Sequence, residues 1–460
     1  MLQGIDKESL CNSRQSLKKG TVRLSRRTFI NRAAEGAAGL WVLSRSERAC
    51  GDGAGAAAGK VPVVVVKDDT VIKDSAINQG VVQVMLDRAM RSLTGDETAG
   101  KAWLSLFPGI TRNSIVCIKV NCINSLLSSH PEVAYSIVNG LVGMEVDGSP
   151  FPAENIIIWD RTNSELKNAK YSINTGNTGV KCFGTNQSGV GYASTMYDVA
   201  GSSQRLSSIV TDISDYMVNL FLLKNHGTTG LTLSMKNHYG TCSSPGNLHG
   251  GYGNLYIPAL NSLAPIRGKQ VITICDALFG IISGGPSGSP QIQPNSLVLS
   301  KDPVANDTVC AGILEENSCR TVSNAHHIAT AAGAPYSLGT NNPDDIDVIT
   351  IENPTTVSVE DSNDLAAPQS FRLYQNYPNP FNAMTTISYQ LHQPAHVELA
   401  IYTVQGTLVS RLVDGRQSTG YYRIVWDGMT SRGLHVASGM YLCRMLLGAE
   451  RSVIRMQYVK

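Results

Sequence analysis

Apolar residues in the first two thirds of this chain fall into short unbroken runs separated by stretches of helical spacing. Val61-Pro62-Val63-Val64-Val65-Val66 is continuous rather than alternating, the pattern of a strand covered on both faces. Val82, Met85, Leu86, Ala89, Met90 and Leu93 then repeat at three- and four-residue intervals, with Gly95 just beyond, which predicts a helix and its stop. Further strands are expected over 115–120, 156–159, 217–223, 271–274 and 346–351, with helices over 132–141 and 303–314. Such alternation predicts an α/β fold, a mostly parallel layered sheet with helices. After 353–370, a Pro-, Ser-, Thr- and Asp-rich linker, the texture changes. Short runs at 385–391, 397–404, 407–412, 421–426 and 440–447 are divided by Gln405-Gly406, Asp414-Gly415, Asp427-Gly428, Arg432-Gly433 and Leu447-Gly448. That spacing predicts a small C-terminal β-sandwich. The expected units are therefore a leader at 1–58, an α/β domain at 60–352, the linker, and a sandwich at 371–460.

The leader changes how the charge is read. Residues 1–58 hold ten of the 38 basic and five of the 36 acidic residues, so the remainder carries 28 and 31, a net of −3. A near-neutral chain has no electrostatic footprint for nucleic acid or an anionic membrane surface, and neither partner is expected. No segment approaches the ~20 apolar residues of a membrane span. Ser25-Arg26-Arg27-Thr28-Phe29-Ile30, ahead of a small-residue apolar run at 33–43 and a cleavage site at Ala56-Ala57-Ala58, reads as a twin-arginine signal. That motif implies the twin-arginine translocase as a partner and export in the folded state. Of ten cysteines, Cys11 and Cys50 leave with the leader, and the other eight contain no C-x-x-C pair. An iron–sulfur cluster or zinc knuckle thus has no ligand motif. Cys117, Cys275 and Cys310 lie in apolar runs and read as buried hydrophobes, while one or two disulfides stay open.

The chemistry-bearing residues gather at the expected strand ends. Lys224-Asn225-His226-Gly227 is echoed by Lys236-Asn237-His238-Tyr239-Gly240 twelve residues later. Lys224 is expected to close its strand, Gly227-Thr228-Thr229-Gly230 to form a turn, and residues 231–235 to start a short helix. Free N–H groups at a helix start, beside a lysine and a histidine, are the parts of an anion site. Lys119 and Asn121 follow one strand, Asp160 and Arg161 another, and Asp276 a third, the edge where a parallel sheet binds ligands. Lys119, Asn121, Lys224, Lys236 and Asn237 are therefore candidate substrate-binding residues, and Asp160, His226 and Asp276 candidate acid–base residues. His226, His238 and His249 are candidate metal ligands without a recognised spacing. His326-His327 reads as a surface pair, and 246–253 as a mobile loop over a pocket.

The middle of the chain resembles the domain-of-unknown-function 362 family. The residues that carry it are Ile118-Lys119-Val120-Asn121, Ile157-Ile158-Trp159-Asp160, the Lys224-to-Gly240 doublet, Asp276 with Gly284-Gly285-Pro286, and Ser300-Lys301-Asp302-Pro303-Val304-Ala305 with Asp307. The family has no agreed activity. Its iron–sulfur members imply redox chemistry, for which this chain lacks the Cys motif. The tail resembles the type A C-terminal sorting domain of the type IX secretion system through Tyr377-Pro378-Asn379-Pro380-Phe381-Asn382, Ile401-Tyr402 with Gly406, Val425-Trp426-Asp427-Gly428 and Ala437-Ser438-Gly439-Met440-Tyr441. That resemblance implies the type IX machinery as a partner and passage through the periplasm to the cell surface or medium. Three functions are open: an exported enzyme or enzyme-like binding protein for a small anionic ligand, a metal or redox protein loaded before export, and a non-catalytic surface module.

Overall fold

The computed structural model describes residues 59–355 and 370–459, apart from 74, 375, 377–380, 383, 392, 393, 419 and 449. The twin-arginine stretch, the cleavage site, most of the linker and Tyr377-Pro378-Asn379-Pro380 lie outside the described residues. The apolar runs form β1 (Val61–Lys67), β2 (Val116–Lys119), β3 (Ile156–Trp159), β4 (Lys181–Cys182), β5 (Tyr216–His226), β6 (Gly230–Thr232), β7 (Gln270–Ile281), β8 (Ser296–Ser300) and β9 (Ile346–Glu352). They build one sheet in the order β9-β1-β8-β7-β5-β2-β3-β4, with β6 paired back on β5. β9–β1, β7–β5, β5–β2, β2–β3 and β3–β4 are parallel. β8 runs antiparallel between β1 and β7. The C-terminal ends of β5, β2, β3 and β4 thus lie side by side at one edge of the sheet.

Helices α1 (Gln79–Thr94), α2 (Ala99–Leu104) and α3 (Pro131–Val142) pack together beside this sheet. Asn78 caps α1 by accepting the N–H of Gly80 and Val81, and Gly95 ends it at φ 79°, where a Cβ would be strained. Trp103 is fully buried against α3. A Cβ on Gly140 would lie 2.0 Å from its Nε1, so α3 can approach only with glycine there. On the other side of the sheet, α6 (Pro303–Glu316) starts under Asp302, whose carboxylate caps Val304 and Ala305.

The tail forms two packed sheets. β10 (Phe371–Leu373), β11 (Thr385–Leu391) and β14 (Gly420–Trp426) make one; β12 (Ala395–Thr403), β13 (Leu408–Gln417), β15 (Gly439–Leu447) and β16 (Glu450–Tyr458) make the other. Their shared core holds Phe381, Tyr389, Trp426 and Tyr458. Trp426 is core and Asp427 a turn residue, its carboxylate accepting the Met429 N–H. Asp414-Gly415 is not a turn: both residues stay within β13, paired in regular register with Glu398 and Val397 of β12. Tyr374, just past β10, is buried with the α/β core and donates to Asn139 Oδ1 on α3 at 3.1 Å.

All eight described cysteines, Cys117 to Cys443, are free and buried, so neither of the disulfides left open above is formed. No helix among the described residues is long and apolar enough to cross a membrane.

The Gly140 notch gives a direct check. Gly140→Ala should lower stability by about 1–3 kcal/mol, as overpacking does, seen as a reduced urea midpoint at unchanged m-value.

Candidate functional site

The site is built where β5, β2 and β3 end. β5 does not stop at Leu223 as the apolar run suggested. Its hydrogen bonding continues through Lys224 to His226, because the chain turns back at once and β6 pairs with it, Lys224 opposite Thr232. Residues 231–232 are therefore strand, and the helix α4 (Ser234–Asn237) begins later. The anion-binding backbone expected in this turn is already occupied. The Thr228 and Thr229 N–H groups donate to His226 Nδ1 at 3.0 and 3.1 Å. Those of Ser234 and Met235 donate to the Asp307 carboxylate on α6 at 2.7 and 3.2 Å. Burial pushes the Asp307 pKa up to about 7, against the hydrogen bonds of Ser234 and Met235, which hold it down. The free donors at this site are side chains.

Lys119, at the end of β2, is buried and donates to Asp160 Oδ1 at 2.7 Å and to the Val120 carbonyl at 2.6 Å. The other Asp160 oxygen accepts the Cys122 N–H at 2.6 Å. Both members of this pair are thus engaged in holding the ends of β2 and β3 together. Gly240 closes over them; a Cβ there would sit 2.8 Å from Lys119 Nζ and 3.0 Å from Asp160 Oδ1. Asp276 is drawn elsewhere. It lies inside β7, not beyond it, because that strand runs to Ile281. Its Oδ2 accepts both the backbone N–H and Nδ1 of His130, at 2.8 and 2.7 Å. Burial pulls the His130 pKa down, but the Asp276 carboxylate outweighs it and the net shift is upward. His130, the residue ahead of α3, had no sequence signal except its place before Pro131.

Lys224 and Lys236 are different. Lys224 is fully buried, and its Nζ donates to Asn121 Oδ1 at 2.8 Å. Asn121 Nδ2 donates to Asn237 Oδ1 at 2.9 Å, and Asn237 Nδ2 to Asn219 Oδ1 at 2.7 Å. Asn219 Nδ2 reaches Gln270 Oε1 at 2.9 Å, which also meets His238 Nε2 at 2.9 Å. The chain of amides therefore ties β5, α4, β7 and the loop after β2 through one buried line. Asn219 interrupts an otherwise apolar run at 217–223, the signal that could have marked it in the sequence. Lys236 is 6% exposed, lies over the Tyr239 ring at 4.2 Å, and meets His249 Nε2 at 3.3 Å. His249 stacks on His226 with centroids 5.3 Å apart.

Burial lowers the Lys224 pKa to about 8, an effect the Asp160 charge only partly counters. Burial and then the Lys224 charge lower that of Lys236 to about 7; no acid opposes them. Burial, followed by Lys236, His249 and Lys224, takes His226 to about 3, so His226 is neutral. Since its Nδ1 accepts two N–H groups, its proton is on Nε2, making it a donor. His327 is not a surface residue. It is fully buried on α7 (His327–Ala332), neither ring nitrogen has a hydrogen-bond partner among the described residues, and burial with the Lys236 charge lowers its pKa to about 3.

Of the metal candidates, His226 and His249 meet. His238 belongs to the amide line, with Gln270 and Thr241 as partners. Among the described residues no three His, Cys, Asp or Glu side chains are placed to hold a metal ion. Residues 246–253 lie over the cluster through His249, with Gly251 and Tyr252 both left-handed at φ 54° and 59°, costly for tyrosine.

A buried ammonium without a carboxylate costs stability with a defined pH profile. As pH falls from 10.5 toward 7, the unfolded Lys236 takes up a proton that the folded one refuses, so stability drops and the cost is full below about 7. Lys236→Met should therefore be more stable than the parent by on the order of a few kcal/mol at pH 6.5. The gap should narrow by pH 9.5 and vanish above 10.5; urea titrations at these pH values measure it.

The family model described as "Domain of unknown function (DUF362)" matches residues 116–312, which span the site. The FlgD Ig-like domain model matches residues 380–446 of the tail. No curated protein matches the chain. Among solved structures, the chain is similar to PorZ, described as a bacterial surface component of the type-IX secretion system of Porphyromonas gingivalis. They are 22% identical over 19% of this chain and 11% of PorZ, with a TM-score of 0.15. Latent PorU from the same organism is 21% identical over 19% of this chain and 9% of its own, with a TM-score of 0.18. FlgD from P. aeruginosa is 25% identical over 16% of this chain and 57% of its own, with a TM-score of 0.14. The chain thus spans about a tenth of the length of the first two. The middle domain is similar to a family whose function is itself unknown.

Proposed function

We propose that this is an exported protein that holds a small anionic ligand on Lys224, Lys236 and His226. The observation that carries the reading is the unbalanced positive charge. Lys119 has Asp160 as its counter-ion, but Lys224 and Lys236 are buried with no carboxylate of their own among the described residues. A desolvated charge calls for a partner, and an inserted anion supplies it. Two ammonium groups would neutralise the ligand while the His226 Nε2–H donates as a neutral group. Lys236, titrating near 7, would exchange a proton at neutral pH, the property needed for acid–base catalysis. Asn121 and Asn237 position Lys224 rather than touch the ligand, and Lys119 with Asp160 fixes the strand ends beneath it.

The export reading joins the twin-arginine stretch to the sorting-domain resemblance of the tail, with cell surface or medium as the destination. The units proposed are a leader at 1–58, an α/β domain at 60–352, a linker and a sorting domain at 371–460. Eight free, buried thiols support folding before export, since a chain that folded in an oxidising compartment would expose them to pairing. A native preparation should therefore react with few thiol-reagent equivalents until urea is added.

Calorimetric titration with phosphate, sulfate and oxalate tests the ligand. At 100 times its dissociation constant a bound anion adds ~2.7 kcal/mol of stability, and Lys224→Ala with Lys236→Ala should abolish that gain while retaining the fold. Undiminished anion stabilisation in the double variant would remove the reading. For export, Arg26→Lys with Arg27→Lys should hold the precursor in the cytoplasm. A chain ending at Ala366 should instead reach the periplasm and stop there; its appearance on the cell surface would contradict the role given to the tail.

A further inference from the structure

Residues 59–355 expose six large apolar side chains: Ile123, Leu126, Tyr192, Met196, Tyr252 and Leu255. The other exposed ones, from Met384 onward, belong to the β-sandwich. Scattered exposed apolar residues need no explanation, but a one-sided set does. They stand on three segments: the loop after β2, the loop after β4, and the stretch that follows the β5–β6 hairpin and α4; all three leave from the sheet edge that carries Lys224 and Lys236.

The loops are also tied to one another. Cys122, beside Ile123, donates its N–H to Asp160. The loop carrying Tyr192 is joined to that same point by Thr185 N–H to the Asp160 carbonyl and Asn186 N–H to that of Arg161. Tyr192 bridges to Ser207, whose N–H donates to the Thr241 carbonyl, five residues past Lys236. Met196 Sδ lies 3.3 Å from Arg205 Nε, and Arg205 is paired with Ser243. Helix α5 (Tyr256–Ser262), which begins right after Leu255, packs against residues 197–199, right after Met196. The three segments, with their exposed apolar side chains, are therefore tied into one connected rim beside the strand ends that carry Lys224 and Lys236.

We infer that the ligand is an amphipathic anion, a small acid or phosphate ester with a hydrocarbon or aromatic body, its head on Lys224, Lys236 and His226 and its body against this rim. The inference rests on the anion reading above and adds the body. Burial decides between a small molecule and a macromolecule. Lys224, Lys236 and His226 are 0%, 6% and 7% exposed, so their counter-ion must be inserted, and a surface laid across the loops would not reach them. The segment in the way is 246–253, which carries His249 and contains Gly246, Gly250, Gly251 and Gly253. Its glycines allow the backbone change that entry requires, and Tyr252 is already held in the sparsely populated left-handed region.

The test is a chain-length series: inorganic phosphate, methyl, butyl and octyl phosphate, each below its aggregation concentration, titrated calorimetrically into the full chain. Octyl phosphate should bind at least tenfold tighter than methyl phosphate (about 1.4 kcal/mol at 25 °C). Leu126→Ser with Leu255→Ser, both exposed and outside the 246–253 segment, should erase most of that gain and leave inorganic phosphate affinity unchanged. Phosphate binding without any chain-length gain would overturn the amphipathic ligand while leaving the anion reading standing. A gain that survives the double Ser variant would equally overturn the rim's role. Failure of every phosphate to bind wild type, with Lys224→Ala and Lys236→Ala also silent, would take the anion reading down with it.

Discussion

An ammonium group taken out of water is expensive, and this molecule buries three around the ends of three strands. The Lys119–Asp160 pair is the self-contained solution: charge and counter-charge, each oxygen and the ammonium satisfied locally, closed over by a glycine because no side chain fits. It fixes β2 against β3. Lys224 is held by a neutral amide instead, and that amide begins the line through Asn237 and Asn219 to Gln270. Such a line is stable only when each member is satisfied, so it specifies how β5, α4 and β7 meet. The positive charge left over is the feature on which the functional reading turns.

The same economy leaves the backbone of the hairpin turn and the start of α4 without free donors. A hairpin turn and a short helix start supply four N–H groups, but His226 and Asp307 accept them. His226 is thereby locked as a neutral donor, and α4 is anchored to α6. Lys224, Lys236 and His226, which lie beside these groups, come from β5 and α4. Charged side chains placed this way respond to one another: Lys224 depresses Lys236, and both depress His226. An anion would reverse those shifts, which couples ligand binding to protonation.

Sequence alone determined the elements and their class. The Val61–Val66 run, the spacing of Val82 to Leu93, and the turn-punctuated tail each carry a local period, and a local period is all that strands, helices and hairpins require. It also placed Lys119, Asn121, Asp160 and Lys224 at one sheet edge, since polar residues close those apolar runs. What it could not decide is who meets whom. Asp276 and Asp160 look equivalent in sequence, each after an apolar run, yet one strand continues and hands Asp276 to His130, while the other stops and gives Asp160 to Lys119. His326-His327 looks like a surface pair, but helix phase buries His327 alone. Lys224 seemed to end a strand because the apolar run ends there; the β5–β6 hairpin carries it inward. These outcomes depend on strand length, helix rotation and long-range hydrogen bonds, which are properties of the packed chain and leave no local pattern to read.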